Sequence, residues 1–193
     1  MALASLVLAS KSPRRAELLR QICIDFTTTS ADIDESVLGG EAADAYVERI
    51  ARLKVLACAS TGHLTLAADT IVVVDAEILG KPRDEEDGIK MLLRLSSRVH
   101  EVMTAVAVSD GERLESATVV TQVEFVEISR ALARRYWASC EPVDKAGGYG
   151  IQGIGGIFAK RLKGSYSAVV GLPLVETERL LTRFEVDTWR CRI

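Results

Sequence analysis

An apolar run, Leu6-Val7-Leu8-Ala9, gives way almost at once to Ser10-Lys11-Ser12-Pro13-Arg14-Arg15, followed by the stripe Leu18, Leu19, Ile22. This junction constrains the fold more than any other feature, because it reads as a strand feeding directly into a helix. Ser12 suits an N-cap, and Pro13 suits the first helical position, where a missing N–H costs nothing. The free N–H groups and positive dipole end of such a helix attract anions. Arg14 and Arg15, with the hydroxyls of Ser10 and Ser12, add donors matched to phosphate oxygens. The same residues also read as a capped surface helix with solvated arginines.

The alternation continues along the chain. Phe26-Thr27-Thr28-Thr29 reads as a second strand, leading into the acidic stretch Asp32-Ile33-Asp34-Glu35. From Glu41 to Ser60 the period is helical, with Tyr46, Val47, Ile50, Leu53 and Ala57 on one face. Lys54 falls on that stripe, either as a snorkelling lysine or as one aimed into a site. Leu66 to Val74 reads as a central strand, followed by a turn at Asp75-Ala76 and a short strand to Gly80. Residues 84–95 form a helix weakened by Gly88. Val99–Val108 and Glu115–Val126 read as antiparallel strands joined through Ser109-Asp110-Gly111, and Ser129 caps a helix running to about Ser139. Ile157–Leu162 and Ser167–Val170 look like strands, and Pro173 opens a last helix ending near Phe184. This order specifies an α/β fold.

Length and charge narrow the function. The 193 residues suit one domain of two lobes, covering 1–193 with a tail at 185–193 that frays or packs on the surface. A net charge of −3 provides no global basic field for nucleic acid or an anionic membrane, so phosphate binding must come from a local cluster of cations. Met1–Leu8 lacks the basic start of a signal peptide, and no apolar stretch approaches the ~20 residues of a membrane helix. Cys23, Cys58, Cys140 and Cys191 lie far apart with no CxxC, which argues against structural zinc and suits a reducing cytoplasm.

Asp69 is the sharpest anomaly. An acid inside an apolar strand loses hydration unless it is paired, hydrogen-bonded or bound to metal. It reads as an architectural ion pair or, as we favour, a metal ligand or a base that activates water. Gly80-Lys81-Pro82 biases Lys81 towards an extended conformation, making it a candidate phosphate partner beside Asp69. Residues 147–156 hold six of the 14 glycines, including a formal GxGxxG at Gly148, Gly150 and Gly153. No strand precedes those glycines immediately and no long helix follows, so a Rossmann site is disfavoured. A loop presenting Lys145, Tyr149 and Gln152 to a small ligand fits better, since Gln152 has the donor and acceptor needed to read a base edge. His100 reads as packed or solvated in its strand.

Taken together, Leu8-Ala9-Ser10-Lys11-Ser12-Pro13-Arg14-Arg15, Glu35, Lys54, Ala68-Asp69-Thr70, Gly80-Lys81-Pro82, Ser96–His100, Asp144–Gly153 and Val170-Gly171-Leu172-Pro173 resemble the Maf family of nucleoside triphosphate pyrophosphatases. The ordered set covers residues 6 to 184 and is far more specific than any one piece. Ser97 departs from the pattern, standing where the family often has glycine. The resemblance implies an elongated, curved mixed β-sheet flanked by helices, with two lobes and a central cleft (Maf/ITPase-like), and a homodimer. It implies hydrolysis of a nucleoside triphosphate to monophosphate and diphosphate, assisted by a divalent cation, Mg²⁺ or Mn²⁺. Asp69 would be the general base, and Glu35 with Asp69 would hold the metal. Ser10, Arg14, Arg15, Glu35, Lys54, Lys81 and Lys145 would bind phosphate or metal, or organise the groups that do. The Tyr149–Gly153 segment resembles the subgroup acting on dTTP and UTP, with Arg15, Thr70 and Gln152 bearing on specificity.

This reaction fits the residues. Five lysines and arginines (Arg14, Arg15, Lys54, Lys81, Lys145) converging on one acidic centre would neutralise a triphosphate without making the protein basic. Two other readings are a nucleotide-binding regulator and a cell-division interaction protein, each without turnover. Retention of Asp69, Glu35 and both lysine motifs favours the enzyme.

Overall fold

The computed structural model describes residues 5–190 and Arg192; Met1–Ala4 (read above for a targeting segment), Cys191 and Ile193 lie outside the described residues. Seven strands form one mixed sheet: β1 (Ser5–Ala9), β2 (Phe26–Thr29), β3 (His63–Val74), β4 (Glu77–Leu79), β5 (Val99–Ser109), β6 (Leu114–Phe125) and β7 (Ala159–Lys163). Their order is β2-β1-β3-β5-β6-β7, with β4 paired to β3. β1 runs parallel to both neighbours, Leu8 lying opposite Thr28 on β2 and Leu66 on β3. β4 is antiparallel to β3, and β7 to β6. The helices are α1 (Pro13–Gln21), α2 (Ala43–Leu56), α3 (Glu85–Leu95), α4 (Arg130–Trp137), α5 (Tyr166–Val170) and α6 (Leu174–Arg183). None is long and apolar enough to cross a membrane.

The chain divides into two compact units. One comprises residues up to Asp69, 104–119 and from Gly171 onward; the other comprises 70–103 and 120–170. In the first, Leu8, Leu19, Val47, Ile50, Val55, Leu66 and Leu181 are fully buried. The tail is packed there too: Val186 N–H donates to the Leu181 carbonyl, and Arg192 donates to the Ile22 carbonyl and the Glu178 carboxylate. The second unit has its own core, in which Val72, Ile89, Leu92, Leu95, Val123, Phe125 and Phe158 join one apolar cluster.

Local chemistry explains most boundaries. Asp84 caps α3 through its carboxylate and the Asp87 N–H, and Ser129 caps α4 through its hydroxyl and the Leu132 N–H. Gly88 lies inside α3 because the Trp137 ring occupies the place a Cβ would take. Ser12 stands at the N-cap of α1 with Pro13 behind it, yet its side chain makes no capping bond.

Four expectations need correction. Ser167–Val170 belongs to helix α5 and is not a strand: the Ser165 hydroxyl accepts the Ala168 N–H, a cap that overrides the β preference of Val169-Val170. The strand expected from Ile157 starts at Ala159, because Ile154–Phe158 is wound into a 3-10 turn. On α2, Leu53 is exposed, and Ala57 lies just past the helix end and is exposed too, so the buried stripe is shorter and narrower than its spacing suggests. Tyr149 is buried among core side chains and is not presented to a ligand.

Candidate active site

The polar residues of the first unit gather around the middle of β3 and the C-terminal end of β1. Asp69 sits within β3, whose residues from Leu64 to Asp69 are all buried. Lys54, on the last turn of α2, reaches it: Lys54 Nζ donates to Asp69 Oδ1 at 2.7 Å. The same ammonium lies 2.8 Å from Glu35 Oε1. One cation therefore bridges two carboxylates, one nearly buried and one with 53% of its side chain exposed. Burying Asp69 without such a partner would carry a large desolvation cost. The choice left open by the sequence is resolved here: Lys54 turns into the cluster instead of snorkelling away from the stripe.

Glu35 belongs to an irregular segment, and α2 ties that segment down. The buried Tyr46 donates its hydroxyl to the Glu35 carbonyl at 2.8 Å. Arg49 donates to the Ser36 carbonyl at 2.9 Å and makes a two-pronged pair with Glu41 at 2.6 and 2.7 Å. Burial, reinforced by the Asp69 and Glu35 charges, pushes the Tyr46 phenol above its usual range.

The strand-to-helix junction supplies the second part. Ser10 Oγ accepts from the Ser12 N–H and from Arg15 Nη1, both at 3.2 Å. Arg15 Nε donates to the Gly171 carbonyl at 2.8 Å. Gly171 has φ +131°, backbone that favours glycine, so the Val-Gly-Leu-Pro motif serves to aim Arg15. Burial pulls the Arg15 guanidinium below its ordinary value, and Asp69 and Glu35 oppose that shift. Arg14 precedes it in α1, half-buried. A hollow of about 450 Å³ opens at this helix end, lined by Ser10, Lys11, Ser12, Pro13, Ala16, Thr28, Thr29 and Ser30. Hydroxyls and helix N–H groups of this kind suit an anion.

The remaining sequence candidates belong to the second unit. Thr70 opens it, directly after Asp69 in the chain. Lys81 is exposed; the Gly80 carbonyl before it accepts the Gly147 N–H at 3.0 Å, tying its segment to the glycine-rich loop. Lys145 Nζ is held by the Glu141 carbonyl at 2.6 Å and by Asp144 Oδ1 at 2.7 Å. Gln152 is exposed near the tip of that loop. His100 is a core residue: its Nε2 and the Tyr149 hydroxyl lie 2.8 Å apart, and burial holds its imidazole down at about 4.

Sequence reasoning missed Tyr46, Arg49 and Gly171 as supports, and Tyr136 and Glu141 behind the glycine loop. Tyr46 stood on the apolar stripe of α2 and Gly171 within the Val170-Gly171-Leu172-Pro173 motif, but neither pattern marks the backbone contact each one makes.

Among the described residues no group of three or more His, Cys, Asp or Glu side chains could hold a metal. The donors that do converge, Asp69 and Glu35, form an all-oxygen pair. That suits Mg²⁺ or Mn²⁺, which keep waters and share substrate phosphates, and does not suit zinc.

An open α/β sheet with hydroxyls and arginines at a strand-to-helix junction, beside an acid–lysine–acid cluster, defines a protein built to handle a phosphorylated small molecule. The family is narrower. The model of the Maf-like proteins matches residues 5–184, and this chain belongs to that family. It is 50% identical to the dTTP/UTP pyrophosphatase of Pseudoalteromonas atlantica over 94% of this chain and 97% of that relative. It is 52% identical to the enzyme of that name from Saccharophagus degradans, over 97% and 92% respectively. A third dTTP/UTP pyrophosphatase, from Pseudoalteromonas translucida, is 52% identical over 92% and 95%.

Proposed function

We propose that this chain is a nucleoside triphosphate pyrophosphatase that hydrolyses dTTP and UTP to the monophosphate and diphosphate. The observation that carries the reading is the cluster of Glu35, Lys54 and Asp69 in a chain half-identical, over nearly its full length, to dTTP/UTP pyrophosphatases. Those relatives favour turnover over a regulator or a cell-division interaction protein.

In this reading the triphosphate sets its charges against the α1 N-terminus, Ser10, Arg14, Arg15, Lys54, Lys81 and Lys145. Asp69 orients a water towards the α-phosphorus and takes its proton as the new P–O bond forms. The bond from the α-phosphorus to the α–β bridging oxygen breaks, and its electron pair leaves with diphosphate. The cations stabilise the charge that grows on the departing group. Gln152 and Thr70 face the pyrimidine edge and rank the substrates. Glu35 and Asp69 would hold a divalent cation, which supplies Lewis-acid polarisation of the phosphoryl oxygens when bound. The free thiols of Cys23, Cys58 and Cys140 suit a reducing cytoplasm. A homodimer is part of this reading, supported by the family resemblance alone, and is checked by light scattering.

The test is diphosphate release by purified protein over a panel of common and modified triphosphates, with Mg²⁺ and with Mn²⁺. Turnover fastest with dTTP and UTP is expected. Tight nucleotide binding without turnover under either metal would overturn the reading.

A further inference from the structure

The loop that carries Gln152 has no regular ladder of its own; it is two short 3-10 turns, Ala146–Gly148 and Ile154–Phe158, with Gln152 between them. Its shape is imposed from behind by one carboxylate. Glu141 Oε1 accepts the Gly155 N–H at 3.0 Å and the Tyr136 hydroxyl at 2.7 Å, and its Oε2 accepts the Ile154 N–H at 2.9 Å. The Tyr136 oxygen in turn accepts the Gly150 N–H at 3.0 Å. Three loop amides flanking Gln152 on both sides thus end on a single Glu–Tyr pair. At Gly153 the Glu141 carboxylate lies where a Cβ would stand, so a side chain there would displace it from the loop amides.

Burial raises the Glu141 carboxyl, but the Gly155 and Ile154 amides and the Tyr136 hydroxyl outweigh it, leaving it below the ordinary carboxylate range. A carboxylate with its lone pairs directed at a loop's own amides shapes that loop. Reading a base edge with one amide side chain requires donor and acceptor held within about half an ångström, which a loop without a ladder cannot provide unaided.

We propose that Glu141, with Tyr136, is a positioning residue for base selection: it fixes the loop that presents Gln152 and thereby sets the preference among triphosphates without touching substrate. The inference rests on the reading in which Gln152 faces the base. It goes beyond that reading by placing the control of specificity in residues behind the loop.

The test compares kcat and KM for dTTP, UTP, dCTP, dATP and dGTP in the parent, Gln152→Ala, Glu141→Ala, Tyr136→Phe and the Glu141→Ala/Gln152→Ala double variant. Glu141→Ala should cut the dTTP-to-purine ratio of kcat/KM by about tenfold, mainly through KM, and Tyr136→Phe by about threefold. In the Gln152→Ala background, Glu141→Ala should leave that ratio unchanged, because its effect passes through Gln152. Equal losses for every triphosphate, or a ratio effect that persists without Gln152, would overturn the proposal. If Gln152→Ala alone leaves the ranking intact, the base-reading assignment fails and takes this proposal with it. If Gln152→Ala reorders the ranking while Glu141→Ala and Tyr136→Phe do not, only the positioning role falls. Should Glu141→Ala not fold, Tyr136→Phe, which removes one hydroxyl, carries the same comparison.

Discussion

In the first unit the proposed reactive groups stand on regular structure: Asp69 within β3, Lys54 on α2, Arg15 on α1. Their geometry is inherited from backbone ladders and from a packed core. In the second unit Gln152, the proposed recognition residue, stands on a glycine-rich loop whose geometry depends on side chains reaching back to main-chain amides. The contrast is between chemistry that must not move and selectivity that can be retuned by repacking what lies behind a loop. Substitutions in the first unit should abolish turnover; those in the second should redistribute it.

The largest expected effect tests the first half of that contrast. Asp69→Asn should lower diphosphate release by about 10³-fold or more while the thermal melt stays cooperative. A variant retaining a tenth of parental turnover would remove the chemistry from β3 and dissolve the contrast. Lys54→Met should reduce turnover about 10²-fold and destabilise the fold by about 3 kcal/mol, because Asp69 would remain buried beside Glu35 without a cation. Chemical denaturation measures the second quantity, and an unchanged midpoint would show that the bridge is not structural.

The second unit should show its own pH sensitivity. His100 is held neutral by burial, at about 4 in the folded chain against about 6.5 unfolded. The unfolded state binds the extra proton first, so stability is fully present above about pH 6.5 and falls as pH drops towards 4, by up to roughly 3 kcal/mol. Urea melts across that range check the slope, and His100→Phe should flatten it. The smallest effect concerns backbone. Ser97 has φ +57° and is exposed, so Ser97→Gly should stabilise the protein by about 0.5–1 kcal/mol with kinetics unchanged.

How much was legible follows from where information resides. Among the described residues, the alternation of apolar runs and helical stripes located every strand and all helices but α5, although β3 begins three residues before the expected Leu66 and α2 stops at Leu56 rather than Ser60. Asp69 stood out because an acid in an apolar run is costly, and Lys54 because a lysine interrupts an apolar stripe. The helix α5 was misread because Val169-Val170 favours a strand, and the deciding cap comes from the Ser165 hydroxyl just ahead of the expected span. Tyr46, Arg49 and Glu141 escaped notice for a related reason. Each acts on a carbonyl or an amide remote in the chain, and main-chain partners have no residue type to mark them. Tyr149 misled because an aromatic among glycines resembles a ligand platform, whereas its hydroxyl meets His100 within the core.

The two rims of the sheet differ in a way that matters for a crowded solution. β7 ends the sheet with Lys160, Arg161 and Lys163 all exposed, whereas β2 ends it with Thr27, Thr28 and Thr29. A second molecule trying to extend the sheet alongside β7 would bring like charges together, so that rim guards against runaway polymerisation while the threonine rim carries no such fence.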